Sequence, residues 1–252
     1  MECFDEFSKE YDLMINWPER ISREKSFYRT IFKRLNVSRV LDAGCGTGKH
    51  AIEFSKWGLE VVGCDISPKM IERAKLNAQA ESAIIQFETA AFQELTKRLN
   101  GTFDAIICVG NNLAQVTGEA DLRLALQEMH KILSLKGVCI IQLLNYEKIL
   151  KNQKHFMPLK ASTQKGKEFL FFRFLDLHEK LITLYVVTFI RNKGEWTYSV
   201  RSTKLQPWRK NQLLTFLFEA GFTKIELYGT YTFEEYEPNR STDLIIIAYK
   251  DL

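Results

Sequence analysis

Three glycines at alternate positions carry the clearest chemical signal in this chain. Residues 40–51 read VLDAGCGTGKHA, in which an apolar pair leads into Asp42, and Gly44, Gly46 and Gly48 follow. Glycine is used where the backbone needs a positive φ or must approach a ligand closely, and the N–H groups at the start of a following helix face the turn. The pattern predicts a strand, a tight turn and a helix, with a small polar ligand bound at the turn.

The glycine spacing and two carboxylates narrow the choice of ligand. Dinucleotide sites use GxGxxG, so that a pyrophosphate lies over the helix N-terminus, whereas this turn is GxGxG. Asp42 would repel a pyrophosphate but suits a ligand with an ammonium and a sulfonium, directly or through water. Asp65 ends the second predicted strand, where a carboxylate can accept hydrogen bonds from both ribose hydroxyls. These residues favour S-adenosylmethionine.

Longer segments extend this interpretation to a family. VLDAGCGTG resembles motif I of class I S-adenosylmethionine-dependent methyltransferases. FDAIICVGNN at 103–112 is similar to the family's motif IV, and LSLKGVCIIQL at 133–143 is similar to its fifth strand and the turn before it. The resemblance covers most of the chain outside 151–207. It implies a Rossmann-like fold with S-adenosylmethionine as methyl donor, S-adenosylhomocysteine as product and no metal.

The resemblance also implies which residues bind the donor. Asp65 matches the ribose-binding acid, and Ile66 and Met70 fall where the family packs apolar side chains on adenine. CVGNNLAQV and QLLNYEKIL are similar to segments of glycine and sarcosine N-methyltransferases, in which an N-terminal segment covers the donor. Tyr11 and Arg23 are the expected counterparts in that segment, with Arg23 on the methionyl carboxylate. The full expected set is Tyr11, Arg23, Asp42, Gly44, Cys45, Gly46, Asp65, Ile66, Met70, Ala90, Ala91, Phe92, Val109, Gly110 and Asn111.

Two departures from the family pattern bear on function. Thr89 and Ala90 stand where the family commonly has Gly-Asp, so the acidic contact to the adenine amino group is absent. GNN at 110–112 replaces the NPPY-type motif of enzymes that methylate nucleobases or glutamine, which favours another acceptor. A sulfonium is already an excellent leaving group, so the reaction needs alignment and exclusion of water, and no universal catalytic residue is expected. The candidates for a catalytic role are Asn111, Asn112 and Tyr11.

The remaining elements would hold these residues in one α/β fold. Strands that are apolar on both faces alternate with helices, which predicts a doubly wound, seven-stranded, mostly parallel sheet with helices on both faces. The predicted strands are 39–42, 60–65, 83–88, 103–109, 137–144, 224–228 and 244–249, and the predicted helices between them are 49–56, 68–80, 120–133 and 208–220.

Two further segments would cover the site. Residues 1–36 predict helices, with Phe4, Phe7, Tyr11 and Met14 at helical spacing, a break at Pro18 and a second helix over about 22–35. Runs at 168–177, 180–191 and 195–205 predict an inserted antiparallel meander. The expected division is an N-terminal helical lid (1–36), a donor-binding domain (37–150 and 208–252) and an inserted substrate lid (151–207).

Some residues near the motifs are expected to be structural. His50, in the first turn of the helix after the glycines, is expected to be solvated or to pack. Aromatic residues on half-buried strands belong more often to the core than to a pocket. This applies to Trp17, Trp196, Tyr198 and Trp208.

Composition limits the compartment and the partners. The cysteines at 3, 45, 64, 108 and 139 are far apart and form no metal-ligand pattern, which predicts reduced thiols and a cytoplasmic protein. Residues 151–210 contain 13 Lys and Arg against 4 Asp and Glu, a charge of +9 within a chain of total charge +4.

The prediction is a methyltransferase for a small molecule, with an amine nitrogen preferred. A nucleic-acid methyltransferase that uses the basic segment, and a non-catalytic donor-binding module, are the alternatives.

Overall fold

The computed structural model describes residue 5 and residues 7–251. The predictions for Cys3 and Phe4 lie outside these residues. Seven strands form the main sheet: β1 Arg39–Ala43, β2 Glu60–Asp65, β3 Gln86–Thr89, β4 Phe103–Cys108, β5 Leu133–Leu144, β10 Lys224–Tyr228 and β11 Asp243–Tyr249. Their order is β10-β11-β5-β4-β1-β2-β3, with β11 antiparallel to its neighbours β5 and β10 and the other pairs parallel. This sheet confirms the predicted fold class.

Helices cover both faces of this sheet, because its strands carry apolar side chains on each face. One buried cluster includes Leu122, Leu126 and Leu213 on one side, and another includes Phe27, Ile31 and Phe54 on the other. The helices are α1 Tyr11–Met14, α2 Trp17–Leu35, α3 Lys49–Ser55, α4 Pro68–Ala80, α5 Leu95–Arg98, α6 Glu119–Ile132, α7 Tyr146–Lys151 and α8 Lys210–Glu219, with 3₁₀ turns at Phe92–Glu94 and Asn112–Gln115.

A second sheet is inserted between α7 and α8. Its strands β6 Lys160–Gln164, β7 Lys167–Leu177, β8 Ile182–Asn192 and β9 Glu195–Leu205 pair antiparallel in sequence order. The meander was predicted with three strands. The fourth, β6, was missed because its sequence KASTQ has no apolar alternation. Phe7 and Met14 pack with Phe171 and Val186, so the N-terminal segment lies against the inner face of this sheet.

The start of α2 corrects a sequence prediction. Pro18 was expected to break a helix, and the second helix was expected from about Ser22. Instead α2 begins at Trp17 with Pro18 in its first turn, where a missing N–H costs nothing, and the Asn16 side chain accepts a hydrogen bond from the backbone N–H of Glu19. This shift of five residues changes which side chains of the helix face the site.

Among residues 5 and 7–251, no helix combines the length and the apolar character that crossing a membrane demands.

Candidate active site

The glycine turn has the backbone that its sequence predicts. Gly44, Gly46 and Gly48 have φ of +77°, +53° and +78°, in the left-handed region that favours glycine. The N–H groups of Gly44 and Cys45 donate to the Cys64 carbonyl at 2.7 and 2.9 Å. The side-chain amide of Asn112 donates to the Gly44 carbonyl, and a Cβ on Gly44 would lie 2.6 Å from that amide nitrogen. The turn is therefore held between β2 and the loop after β4.

The two carboxylates beside the turn have different surroundings. Asp65 accepts hydrogen bonds from the N–H groups of Gly46 and Ser67, both at 2.9 Å, and lines the pocket above the turn. Asp42 is 1% exposed, accepts a hydrogen bond from the Ala51 N–H at 3.2 Å and is not part of the pocket wall. Burial raises the pKa of Asp65, and it raises the pKa of Asp42 to about 6. Asp42 braces the start of α3, and its position does not support the predicted ligand contact.

The pocket above the turn has a volume of about 320 Å³. Asp65 is at one side with Ile66, whose side chain remains 46% exposed although it is apolar. The N–H of Ala90 donates to the Asp65 carbonyl at 3.0 Å, which fixes the start of the 3₁₀ turn that carries Phe92. From the predicted donor-binding set, the pocket brings together Tyr11, Gly44, Cys45, Gly46, Asp65, Ile66, Met70, Ala90, Ala91, Phe92, Val109 and Gly110.

A buried ionic network lies at the other side of this pocket. Glu24, 1% exposed, lies 2.9 Å from Arg20 Nε through one oxygen and 2.8 Å from His50 Nε2 through the other. Burial opposes ionisation of Glu24, but the hydrogen bond and charge of His50 and the charge of Arg20 outweigh it and lower its pKa to about 2. His50 is buried and packs edge-on to Trp17, which agrees with its expected packing role.

Arg20 lines the turn pocket, whereas the predicted Arg23 does not. Arg20 is 17% exposed, and a Cβ on Gly110 would lie 3.5 Å from its Nη2 atom. Arg23 is 61% exposed, contacts Glu24 at 3.2 Å and lies outside the pocket wall. The buried stripe of α2 passes through Phe27 and Tyr28, and at about 100° per residue Arg20 falls on that stripe whereas Arg23 is about a quarter turn away. Helical phase could have identified Arg20 if the start of the helix had been placed correctly.

The N-terminal segment is fastened across the glycine turn. The Asp12 carboxylate accepts hydrogen bonds from Trp17 Nε1 at 3.0 Å, Asn77 Nδ2 at 2.8 Å and the Thr47 hydroxyl. Tyr11 lies over the turn, with its ring 4.0 Å from the position of a Cβ on Gly46. Burial raises the pKa of the Tyr11 hydroxyl. These three hydrogen bonds of Asp12 hold the N-terminal segment in place over the turn. The sequence analysis did not identify Asp12.

A larger cavity, of about 570 Å³, adjoins the turn pocket. The two share wall residues at the Tyr11 and Arg20 side chains and at Gly110 and Gln115. Arg173, on β7, lines the larger cavity, and its Nε is buried without a hydrogen-bond partner. Burial lowers the pKa of this guanidinium. The inserted sheet therefore presents a cation to the space beside the turn.

The two asparagines of the GNN segment have separate positions. Asn111 lines the larger cavity but not the turn pocket, and its side-chain oxygen accepts hydrogen bonds from the Leu144 N–H and the Tyr146 hydroxyl, both at 3.0 Å. Asn112 lines the turn pocket and donates to the Gly44 carbonyl and, at 2.9 Å, to the Val109 carbonyl. Asn112 is thus a brace for the turn. Asn111 is the one of the pair that faces the expected acceptor space.

The remaining predicted aromatic residues have varied positions. Trp208 is buried in the core as expected, whereas Trp17 lines the turn pocket. Trp196 and Tyr198 are 48% and 72% exposed on β9. Within 5 and 7–251, no group of three or more His, Cys, Asp or Glu side chains is arranged to hold a metal ion.

The known proteins that resemble this chain in sequence are methyltransferases. Residues 40–137, which include the glycine turn and Asp65, match the family model of a methyltransferase domain. The chain is 29% identical to glycine/sarcosine N-methyltransferase of Aphanothece halophytica, over 99% of this chain and 90% of that one. It is 27% identical to glycine/sarcosine N-methyltransferase of Parasynechococcus marenigrum, over 91% of this chain and 79% of that one.

The fold is also similar to that of solved methyltransferase structures. An S-adenosylmethionine-dependent methyltransferase from Clostridium acetobutylicum superimposes with a TM-score of 0.80 at 15% identity, over 99% of this chain and 100% of that one. The domain model over residues 40–137, the relatives and the glycine turn with Asp65 all indicate a class I S-adenosylmethionine-dependent methyltransferase.

Proposed function

We propose that this enzyme methylates the nitrogen of a small amine that carries a carboxylate. The observation that carries the proposal is the pair of adjoining cavities, one above the glycine turn and one beneath the inserted sheet, with a common wall at Tyr11, Arg20, Gly110 and Gln115. A donor in the first cavity and an acceptor in the second would meet at that wall. The glycine/sarcosine N-methyltransferases among the relatives support a small amine as the acceptor class.

The turn pocket fits the donor by charge and by shape. Asp65 keeps acceptor capacity for ribose hydroxyls beyond its two backbone hydrogen bonds. Ile66 and Met70 offer apolar surface to the adenine. The Arg20 Nε is taken by Glu24, which leaves its two Nη groups as the fork for the methionyl carboxylate. Tyr11 would cover the donor from the side of the N-terminal segment.

The acceptor cavity contains a cation suited to a carboxylate. Arg173 has no ion pair or side-chain hydrogen bond with any of the described residues, and its Nε is buried. A buried guanidinium Nε–H without a partner is costly, and a bound carboxylate would remove this cost through a two-pronged hydrogen bond. Asn111 lies on the same cavity and would contact the acceptor.

The chain's own residues would mainly position the acceptor and exclude water. S-adenosylmethionine supplies a methyl group on a sulfonium, which is an excellent leaving group. Asp12 holds the N-terminal segment closed over the turn, and this closure keeps solvent from the common wall. The amine must arrive deprotonated, which solution equilibrium or a modest base can supply. We propose that the enzyme acts in the cytoplasm, where the four cysteines that the structure describes, all of them buried, stay reduced.

Methyl transfer to matched acceptors tests this proposal. Glycine and sarcosine are compared with glycolate, which replaces the amine with a hydroxyl, and with methylamine, which lacks the carboxylate. Product is expected from the amino acids, little from methylamine and none from glycolate. Arg173→Met should raise the KM for glycine at least tenfold with little change in the KM for the donor. Arg191→Met, on the exposed face of the same sheet, is the control. Equal activity with methylamine and glycine would contradict the role of Arg173.

A further inference from the structure

The acceptor cavity is large for the acceptors named in the relatives. Its volume is about 570 Å³, and one water molecule takes about 30 Å³ in the liquid. Cavities of roughly 300–1,000 Å³ hold drug-sized ligands, whereas glycine and sarcosine have only a few heavy atoms. The part of the cavity beyond Arg173 therefore has room for a longer acceptor.

The charge on the cavity wall is strongly positive. Among the described residues, six Lys and Arg side chains line it against three Asp and Glu. Arg20 and Glu24 form an ion pair and offset each other, which leaves five cations against two carboxylates. Asp243 accepts a hydrogen bond from Gln142 Nε2 at 2.7 Å, and burial raises its pKa. The positive excess that the sequence places in 151–210 is thus partly inside the molecule, where it faces a ligand.

Lys160 is the cation best placed to contact the far end of a ligand. It lies on β6 opposite Phe171, and Arg173 is two residues further along β7, so the side chains of Lys160 and Arg173 are on the same inner face of the sheet. The Lys160 side chain is half-buried and lines the cavity. It forms no ion pair with the residues that the structure describes, which makes it available to an anion. Lys154, exposed at the rim, adds a second cation.

We infer that the acceptor carries a second anionic group, a carboxylate or a phosphate, at the end away from the methylated nitrogen, and that Lys160 binds this group with Lys154 at the rim. This inference rests on the proposed function, since it assigns Arg173 to the carboxylate beside the amine. The Lys160 side chain lines the cavity and forms no ion pair with the described residues, and anionic oxygens are the groups that an ammonium binds most strongly. The acceptor class is then an amino acid with an acidic or phosphorylated side chain.

Acceptors that differ only at the far end test the inference. The kcat/KM values are compared for alanine, serine, aspartate and O-phosphoserine, which share the amine and the carboxylate. An acidic or phosphorylated side chain should raise kcat/KM about tenfold over the neutral ones, mainly through KM. Aspartate and O-phosphoserine distinguish a carboxylate from a phosphate. Lys160→Met should abolish this preference and leave alanine unchanged, whereas Lys167→Met, at an exposed position of β7, should preserve it. Equal values for neutral and anionic acceptors would overturn the inference.

A binding measurement separates this inference from the proposed function. Calorimetry on the protein saturated with S-adenosylhomocysteine compares O-phosphoserine and aspartate with serine. Tighter binding of an anionic acceptor that is lost in Lys160→Met supports the inference even if no product forms, and the absence of product would then contradict only the proposed amine methylation. Equal binding of serine and both anionic acceptors, or an equal loss for all of them in Lys160→Met, overturns the inference.

Discussion

Replacing Arg20 with lysine tests how the donor is held. Arg20 uses its Nε for Glu24, and its Nη2 atom lies 3.5 Å from where a Cβ on Gly110 would be. Arg20→Lys keeps the positive charge beside buried Glu24 but loses the fork, so at least one hydrogen bond to the methionyl carboxylate is lost. A hydrogen bond to a charged group contributes about 1.5–3 kcal/mol, so the Kd for S-adenosylhomocysteine should rise roughly 10- to 150-fold.

Calorimetry with two ligands and a neighbouring arginine makes this test specific. Arg23→Met is the matched control, because the Arg23 side chain is 61% exposed and lies outside the turn pocket. It should change the Kd for the donor product less than about twofold, because Arg23 lines the larger cavity and not the turn pocket. The ligand 5′-methylthioadenosine has no methionyl carboxylate, so Arg20→Lys should leave its affinity unchanged. Equal weakening of both ligands, or a larger effect of Arg23→Met, would refute the assignment of Arg20.

Three further substitutions probe the carboxylates around the turn. Asp65→Ala should weaken binding of S-adenosylhomocysteine at least tenfold, through loss of charge-assisted hydrogen bonds to the ribose; an unchanged affinity in calorimetry would reject this role. Asp12→Ala should speed release of the same ligand about tenfold in stopped-flow measurements, because the N-terminal segment loses its anchor, and an unchanged release rate would show that the segment does not gate the pocket. Burial raises the pKa of Asp42 to about 6, so the stabilisation from its protonated form is present at low pH and is lost as pH rises through about 6. Asp42→Asn should therefore raise the free energy of unfolding of the donor-free protein by about 3 kcal/mol at pH 8 and have little effect near pH 3, below the ordinary pKa of the unfolded carboxyl; a pH-independent difference in denaturant unfolding would contradict this.

The elements that carry the predicted donor residues could be predicted from the sequence because they are local. The bounds of β2 and α4 were predicted correctly, and the glycine turn with Asp65 needs only two adjacent strands in parallel register. The strand that was missed, β6, is short and polar, and it is set by pairing with β7. Periodicity alone could not find it.

The arginine of the turn pocket and the acceptor side both depend on contacts between distant segments. The choice of Arg20 over Arg23 required the start of α2, which the Pro18 break placed too late. Arg173 carries no local motif, and its role follows only from the inserted sheet, which closes over the loop after β4. The division of the chain into a lid, a donor domain and a substrate lid stays a prediction.

The most direct test of the account follows the methyl group itself. The protein is mixed with S-adenosylmethionine labelled with ¹³C in its methyl group and with an equimolar set of small amino acids and hydroxy acids, and the label is followed by NMR and mass spectrometry. We predict that the label moves to the amine nitrogen of one or more carboxylate-bearing amines. Label that moves to oxygen, or that stays on the sulfonium although the donor binds at the glycine turn, would contradict the assignment of this enzyme as a small-molecule N-methyltransferase.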